Sequence, residues 1–89
     1  MPNVIGTHAV GNIETWLAGG EERAAIFKTF CTGYRIYRHR DQAKVSVVWE
    51  NVDMAKLQTA LAQPGTAVAM TKHTVIQPVE VFVEVEGGR

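Results

Sequence analysis

Residues 45–73 read VSVVWENVDMAKLQTALAQPGTAVAMTKH. Val45, Val47 and Trp49 alternate with Ser46, Val48 and Glu50, the period of a half-buried strand that starts at Lys44. Asp53 follows as a helix N-cap, and Met54, Leu57 and Leu61 fall at i, i+3 and i+7 of an apolar stripe. Pro64 ends that helix, because its ring removes a donor and restricts Gln63. A second short helix over Gly65 to Lys72 then leads to His73, just before the last strand.

Working outward, Gly33 to His39 alternates Tyr34, Ile36 and Arg38 against Arg35, Tyr37 and His39. The polar run Arg40-Asp41-Gln42-Ala43 joins it to the Lys44–Glu50 strand as an antiparallel hairpin. Val4 to Val10 is another strand, with His8 on the same side as Val4 and Val10. Gly11-Asn12 closes it, and Asn12 is suited to cap the helix that begins at Ile13. Ile13, Trp16 and Leu17 share one face, and the pattern resumes at Ala24, Phe27 and Phe30 beyond Gly19-Gly20, as two helical pieces or one kinked helix. That glycine pair is no phosphate loop, because it follows no strand and lacks the lysine and hydroxyl. Downstream, Val79, Val81, Val83 and Val85 alternate with Glu80, Phe82, Glu84 and Glu86, with Pro78 expected at the start of the strand.

The order βαββαβ with right-handed crossovers puts both helical segments on one face of a four-stranded antiparallel sheet. The expected fold is therefore an α+β, ferredoxin-like plait of strand order 4-1-3-2, with residues 1–89 as a single domain. The other sheet face, carrying Ile5, Val48 and Phe82, is left bare. Since 89 residues bury little core, a second copy is expected to cover it, giving a homodimer. The basic run Arg35, Arg38, Arg40, Lys44 and the acidic run Glu80, Glu84, Glu86 are expected at the two sheet edges.

A formal net charge of zero supplies no field for a polyanion, and the Lys44–Glu50 strand lacks paired base-stacking aromatics, so nucleic acid is excluded as a partner. No run of about 18 apolar residues exists, so no membrane span is expected and the chain reads as a soluble cytoplasmic protein. The lone Cys31 reads as a buried structural thiol.

Val47-Val48-Trp49-Glu50-Asn51, followed by Leu57, Leu61, Pro64 and His73, resembles the dimeric α+β barrel superfamily, which includes antibiotic-biosynthesis-type monooxygenases, stress-responsive barrel proteins and muconolactone-isomerase-like enzymes. The resemblance implies a dimeric barrel with a pocket between helices and sheet, and in some members chemistry without a cofactor. A haem-degrading branch pairs a tryptophan with a histidine placed like His73. Here Gln58-Thr59-Ala60-Leu61 supplies no such tryptophan, which argues against haem, and no cofactor is expected.

His73, His8 and Tyr37 are the candidate catalytic residues, with Tyr34 an alternative to Tyr37. Histidine titrates near neutrality and can abstract an acidic proton or polarise a carbonyl. Each histidine also has a plainer role, His73 as a helix C-cap and His8 as a hydrogen-bonded core residue. Trp16, Phe27, Trp49 and Met70 are expected to line a ligand cleft opened by the two helix breaks. No metal site is expected, since Met70 and His73 lack a third ligand. Two functions remain: a cofactor-free monooxygenase, cyclase or isomerase acting on an aromatic or polyketide-like small molecule, or a non-catalytic ligand-binding or accessory domain. An inward-pointing His73 beside open space selects the first.

Overall fold

The computed structural model describes residues 1–87. Among them the order is β1 (Val4–Val10), α1 (Ile13–Ala18), α2 (Gly20–Phe27), β2 (Gly33–Arg38), β3 (Lys44–Glu50), α3 (Met54–Ala62), α4 (Pro64–Lys72) and β4 (Val75–Val83). The strands form one antiparallel sheet ordered β2-β3-β1-β4, the expected 4-1-3-2 arrangement. Each helical segment is broken where the sequence indicates. Gly19 is the C-cap of α1 and the N-cap position of α2, and Pro64 opens α4. The side chains of Asn12 and Asp53 accept from Thr15 N–H and Lys56 N–H, which satisfies otherwise orphaned amides at the starts of α1 and α3.

The core lies between the sheet and the helices. Val4, Val10, Val45, Val47 and Trp49 contribute the sheet side, and Trp16, Phe27, Leu57 and Ala60 the helix side. Trp49 determines how closely β1 can be packed over. Its indole covers Gly6, where a Cβ would stand 2.6 Å from Trp49 Cη2, so only glycine leaves room for the ring. Phe27 and Phe30 meet that indole edge-on at 5.4 and 5.3 Å between centroids.

Three expectations are corrected. The last strand begins at Val75 rather than beyond Pro78, and it ends at Val83. Proline is tolerated inside it because β4 is an edge strand with an irregular ladder at that point. Thr7 pairs with Glu80 and Ala9 with Ile76, so extra β4 residues bulge opposite His8. The helical stripes are also narrower than their periodicity. Leu17, Met54 and Leu61 are exposed, because helices this short press only one or two side chains each into the sheet. Cys31 is half-buried rather than buried, and its thiol donates to Phe27 O at 3.2 Å.

The face away from the helices carries Ile5, Tyr37, Val48, Ile76 and Phe82, with Thr7 and Ser46 hydroxyls hydrogen-bonded at 2.8 Å near its centre. The basic and acidic runs are only partly on the edge strands: Arg35 and Arg38 are on β2 and Glu80 on β4, whereas Arg40 lies in the β2–β3 connection, Lys44 starts the central strand β3, and Glu84 and Glu86 follow β4. Among the described residues no helix is long and apolar enough to cross a membrane.

Gly6→Ala is expected to lower stability by about 1–3 kcal/mol, the usual range for forcing a methyl into a packed core. Urea unfolding followed by tryptophan fluorescence checks this, and an unchanged midpoint contradicts the Trp49 packing.

Candidate functional site

A cavity of ≈ 70 Å³ lies between the layers, bounded by His8, Trp16, Arg23, Phe27, Trp49, Met70 and His73 among others. All four predicted ligand-cleft residues and both predicted histidines therefore meet at one place. Tyr37 does not. It pairs with Ser46 on the outer sheet face and is 53 % exposed, with the sheet between it and the cavity. Its alternative Tyr34 points the other way and packs edge-on against Phe27 at 5.0 Å.

His8 reaches the cavity because strand alternation puts it on the core face of β1. Its Nδ1 lies 2.9 Å from Ala9 O, which only accepts, so Nδ1 carries the proton and Nε2 is left as the basic nitrogen. Burial is the main force lowering its pKa, partly countered by the Ala9 hydrogen bond, and the charge of Arg23 lowers it further. His8 is therefore neutral near pH 7. It also stands edge-on to Trp16 at 5.9 Å.

His73 is both the C-cap of α4 and a cavity wall, 4 % exposed. The next residue, Thr74, adopts φ 62, a left-handed conformation costly for a β-branched side chain. Thr74 is tied down by donating to and accepting from the Asn12 backbone, while Gly11 N–H donates to Thr74 O at 2.8 Å. The end of α4 is thereby locked to the β1–α1 junction. On the other side Gly19 makes room for the imidazole, since a Cβ there would overlap the His73 ring. His73 Nε2 lies 3.5 Å from Glu22 Oε2, and Glu22 in turn accepts from Lys72 at 3.2 Å. The Lys72 hydrogen bond chiefly lowers the Glu22 pKa, keeping it a carboxylate. His73 is also the side chain the cavity shares with an outer groove holding Glu22 and Lys72, so it connects interior to surface.

Arg23 was missed in sequence because it follows Glu21-Glu22 at a helix start. A signal was present, since it lies seven residues after Trp16 and four before Phe27, on the apolar face. Its guanidinium stacks over Trp16 at 3.7 Å, and Nη1 donates to Trp16 O at 2.6 Å. The cavity continues past Leu61, Met70, Val75 and Val79 into an open groove of ≈ 390 Å³ between α4 and β4. Among the described residues no three His, Cys, Asp or Glu side chains gather as cation ligands.

No protein-family model matches the sequence, and no curated protein matches it. Solved structures do. The chain superposes on an antibiotic biosynthesis monooxygenase with TM-score 0.69 at 16% identity, covering 96% of this chain and 97% of that one. SnoaB, a cofactor-independent oxygenase from Streptomyces nogalater, gives 0.67 at 18%, covering 94% and 92%. The chain has the antibiotic biosynthesis monooxygenase-like fold. An uncharacterized NIPSNAP domain protein from Burkholderia xenovorans shares it as well, at TM-score 0.66 and 16% identity over 96% and 93% of the two chains.

The lowered pKa of His8 has a signed consequence. Below about pH 6.5 the unfolded chain protonates this histidine while the folded one does not, so stability falls as pH drops from that value toward the folded pKa. Urea midpoints of the wild type are expected to decline through this window, and those of His8→Phe to decline less.

Proposed function

We propose that this protein is a cofactor-free enzyme acting on an aromatic or polyketide-like small molecule held between helices and sheet. The observation that carries the reading is the meeting of two buried histidines in one aromatic-walled cavity, one of them a neutral base. A ring ketone with an acidic methylene would lose a proton to His8 Nε2, giving a carbanion stabilised by delocalisation. His73, backed by Glu22, gives that proton a route to the surface. From the carbanion, reprotonation elsewhere is isomerisation and attack on a carbonyl within the molecule is cyclisation. With dissolved dioxygen as oxidant, the methylene becomes a carbonyl and one water is released. SnoaB is a cofactor-independent oxygenase of the same fold, which supports the oxidative branch.

The enclosed space alone is small for a polycyclic substrate, so such a molecule would place its reacting ring inside and extend along the α4–β4 groove. The same small volume favours the second reading, a non-catalytic binding or accessory domain. Dioxygen uptake with a panel of ring ketones and polycyclic phenols, without added flavin or metal, separates the two. Turnover is expected, reduced about 100-fold or more in His8→Phe. Binding without turnover favours the second reading. His73→Ala is expected to abolish the ligand-induced change in tryptophan fluorescence while leaving the assembly state unaltered.

We infer also that two copies associate through the sheet face bearing Ile5, Tyr37, Val48, Ile76 and Phe82, an apolar surface large for so small a chain. Sedimentation at micromolar concentration is expected to show a dimer. If the basic edge of one copy meets the acidic edge of the other, added salt weakens it. A monomer at every concentration contradicts the association.

A further inference from the structure

Among the described residues Arg23 is a buried cation without a counter-ion. It is 7 % exposed, and among the described residues no carboxylate lies within ion-pairing distance of it. One of its nitrogens has a structural task. Nη1 donates to Trp16 O, which also accepts from Gly19 N–H, so Arg23 caps the C-terminal end of α1. That leaves Nε without a partner among the described residues. Two further cavity residues are in the same condition, because Trp16 Nε1 and Trp49 Nε1 are buried N–H groups that donate to nothing. Buried donors are nearly always paired, and an unpaired buried charge is costlier still. Here three such donors belong to residues around one space whose other walls, His8, Thr66 and His73 apart, are aromatic or aliphatic. Among its described side chains, what the space lacks is negative charge.

We infer that Arg23 anchors an oxyanion carried by an aromatic ring, a carboxylate or an ionised phenol. The ring packs against Phe27 and Trp49, and the planar fork of the guanidinium meets the oxygens. Stacking of that fork on the Trp16 indole, with Nη1 held by Trp16 O, leaves Nε as the unpaired donor for an in-plane hydrogen bond. An oxyanion at Arg23 would also set the ring's orientation relative to His8, which meets the same indole edge-on. The inference rests on the cavity being the substrate site and names the substrate's charge.

Isothermal titration of the whole protein at mildly alkaline pH with two matched pairs tests it: benzoate against benzamide, and 4-nitrophenolate against 4-nitroanisole. Single-ring probes are the smallest that carry the proposed charge, and the adjoining α4–β4 groove gives them further room. At least one anion is expected to bind about tenfold or more tightly than its neutral partner, the worth of one charge-assisted hydrogen bond, and the pair showing the larger ratio identifies carboxylate or phenolate. Arg23→Gln is expected to level the ratio, and Arg23→Lys, which keeps the charge, to retain it. Where a variant fails to fold, the wild-type ratios still decide. Equal affinity for anion and neutral partner in both pairs overturns the inference and leaves the cavity as a binding site. No binding by any of the four overturns both.

Discussion

The Trp49 indole lying across Gly6 sets the spacing of the two layers. A tryptophan at the end of β3 is too large to stand between the sheet and short helices unless the neighbouring strand offers a position with no side chain. With the ring laid flat, Phe27 and Phe30 pack against it edge-on, and Phe27 in turn meets Tyr34. These contacts position α2 and the chain that follows it. The remaining helices, broken at Gly19 and Pro64, cannot follow the sheet closely, and the unfilled space between them is the cavity.

Charge inside that space is distributed in an unusual way for a core. Arg23 stays cationic by stacking on Trp16 and donating to a helix-terminal carbonyl, while burial and the same arginine keep His8 neutral. A positive group beside a neutral base is a useful pairing. Under the proposed function the cation would stabilise negative charge forming on a ring bound there, and its charge already lowers the His8 pKa. His73 completes the arrangement from the other end. It is the junction between this interior and the Glu22–Lys72 pair at the surface, held there by a strained Thr74 that is itself tied to Asn12.

The outer sheet face is organised by a different constraint. Ile5, Val48, Ile76 and Phe82 sit on the central strands and along β4 and Tyr37 on β2, while Arg35 and Arg38 charge the β2 edge and Glu80 the β4 edge. Charged edges discourage strand-to-strand pairing between copies. Face-to-face association remains available, and it leaves the α4–β4 entrance on the helix side of the sheet open to a ligand.

The strands, the caps at Asn12 and Asp53, the two helix breaks and the strand order were legible in the chain, because each is written in local periodicity or in a residue with restricted backbone chemistry. Trp16, Phe27, Trp49 and Met70 were legible as walls for the same reason. What tertiary structure alone decided is which polar side chains meet. Strand pairing sent Tyr37 to the outer face, and the long-range tie between Thr74 and Asn12 swung His73 inward. Arg23 was drawn over Trp16, where among the described residues its charge has no carboxylate partner. Period and propensity act over a few neighbouring residues, whereas a site built from β1, α1, α2 and the end of α4 brings to one cavity residues as far apart in sequence as His8 and His73.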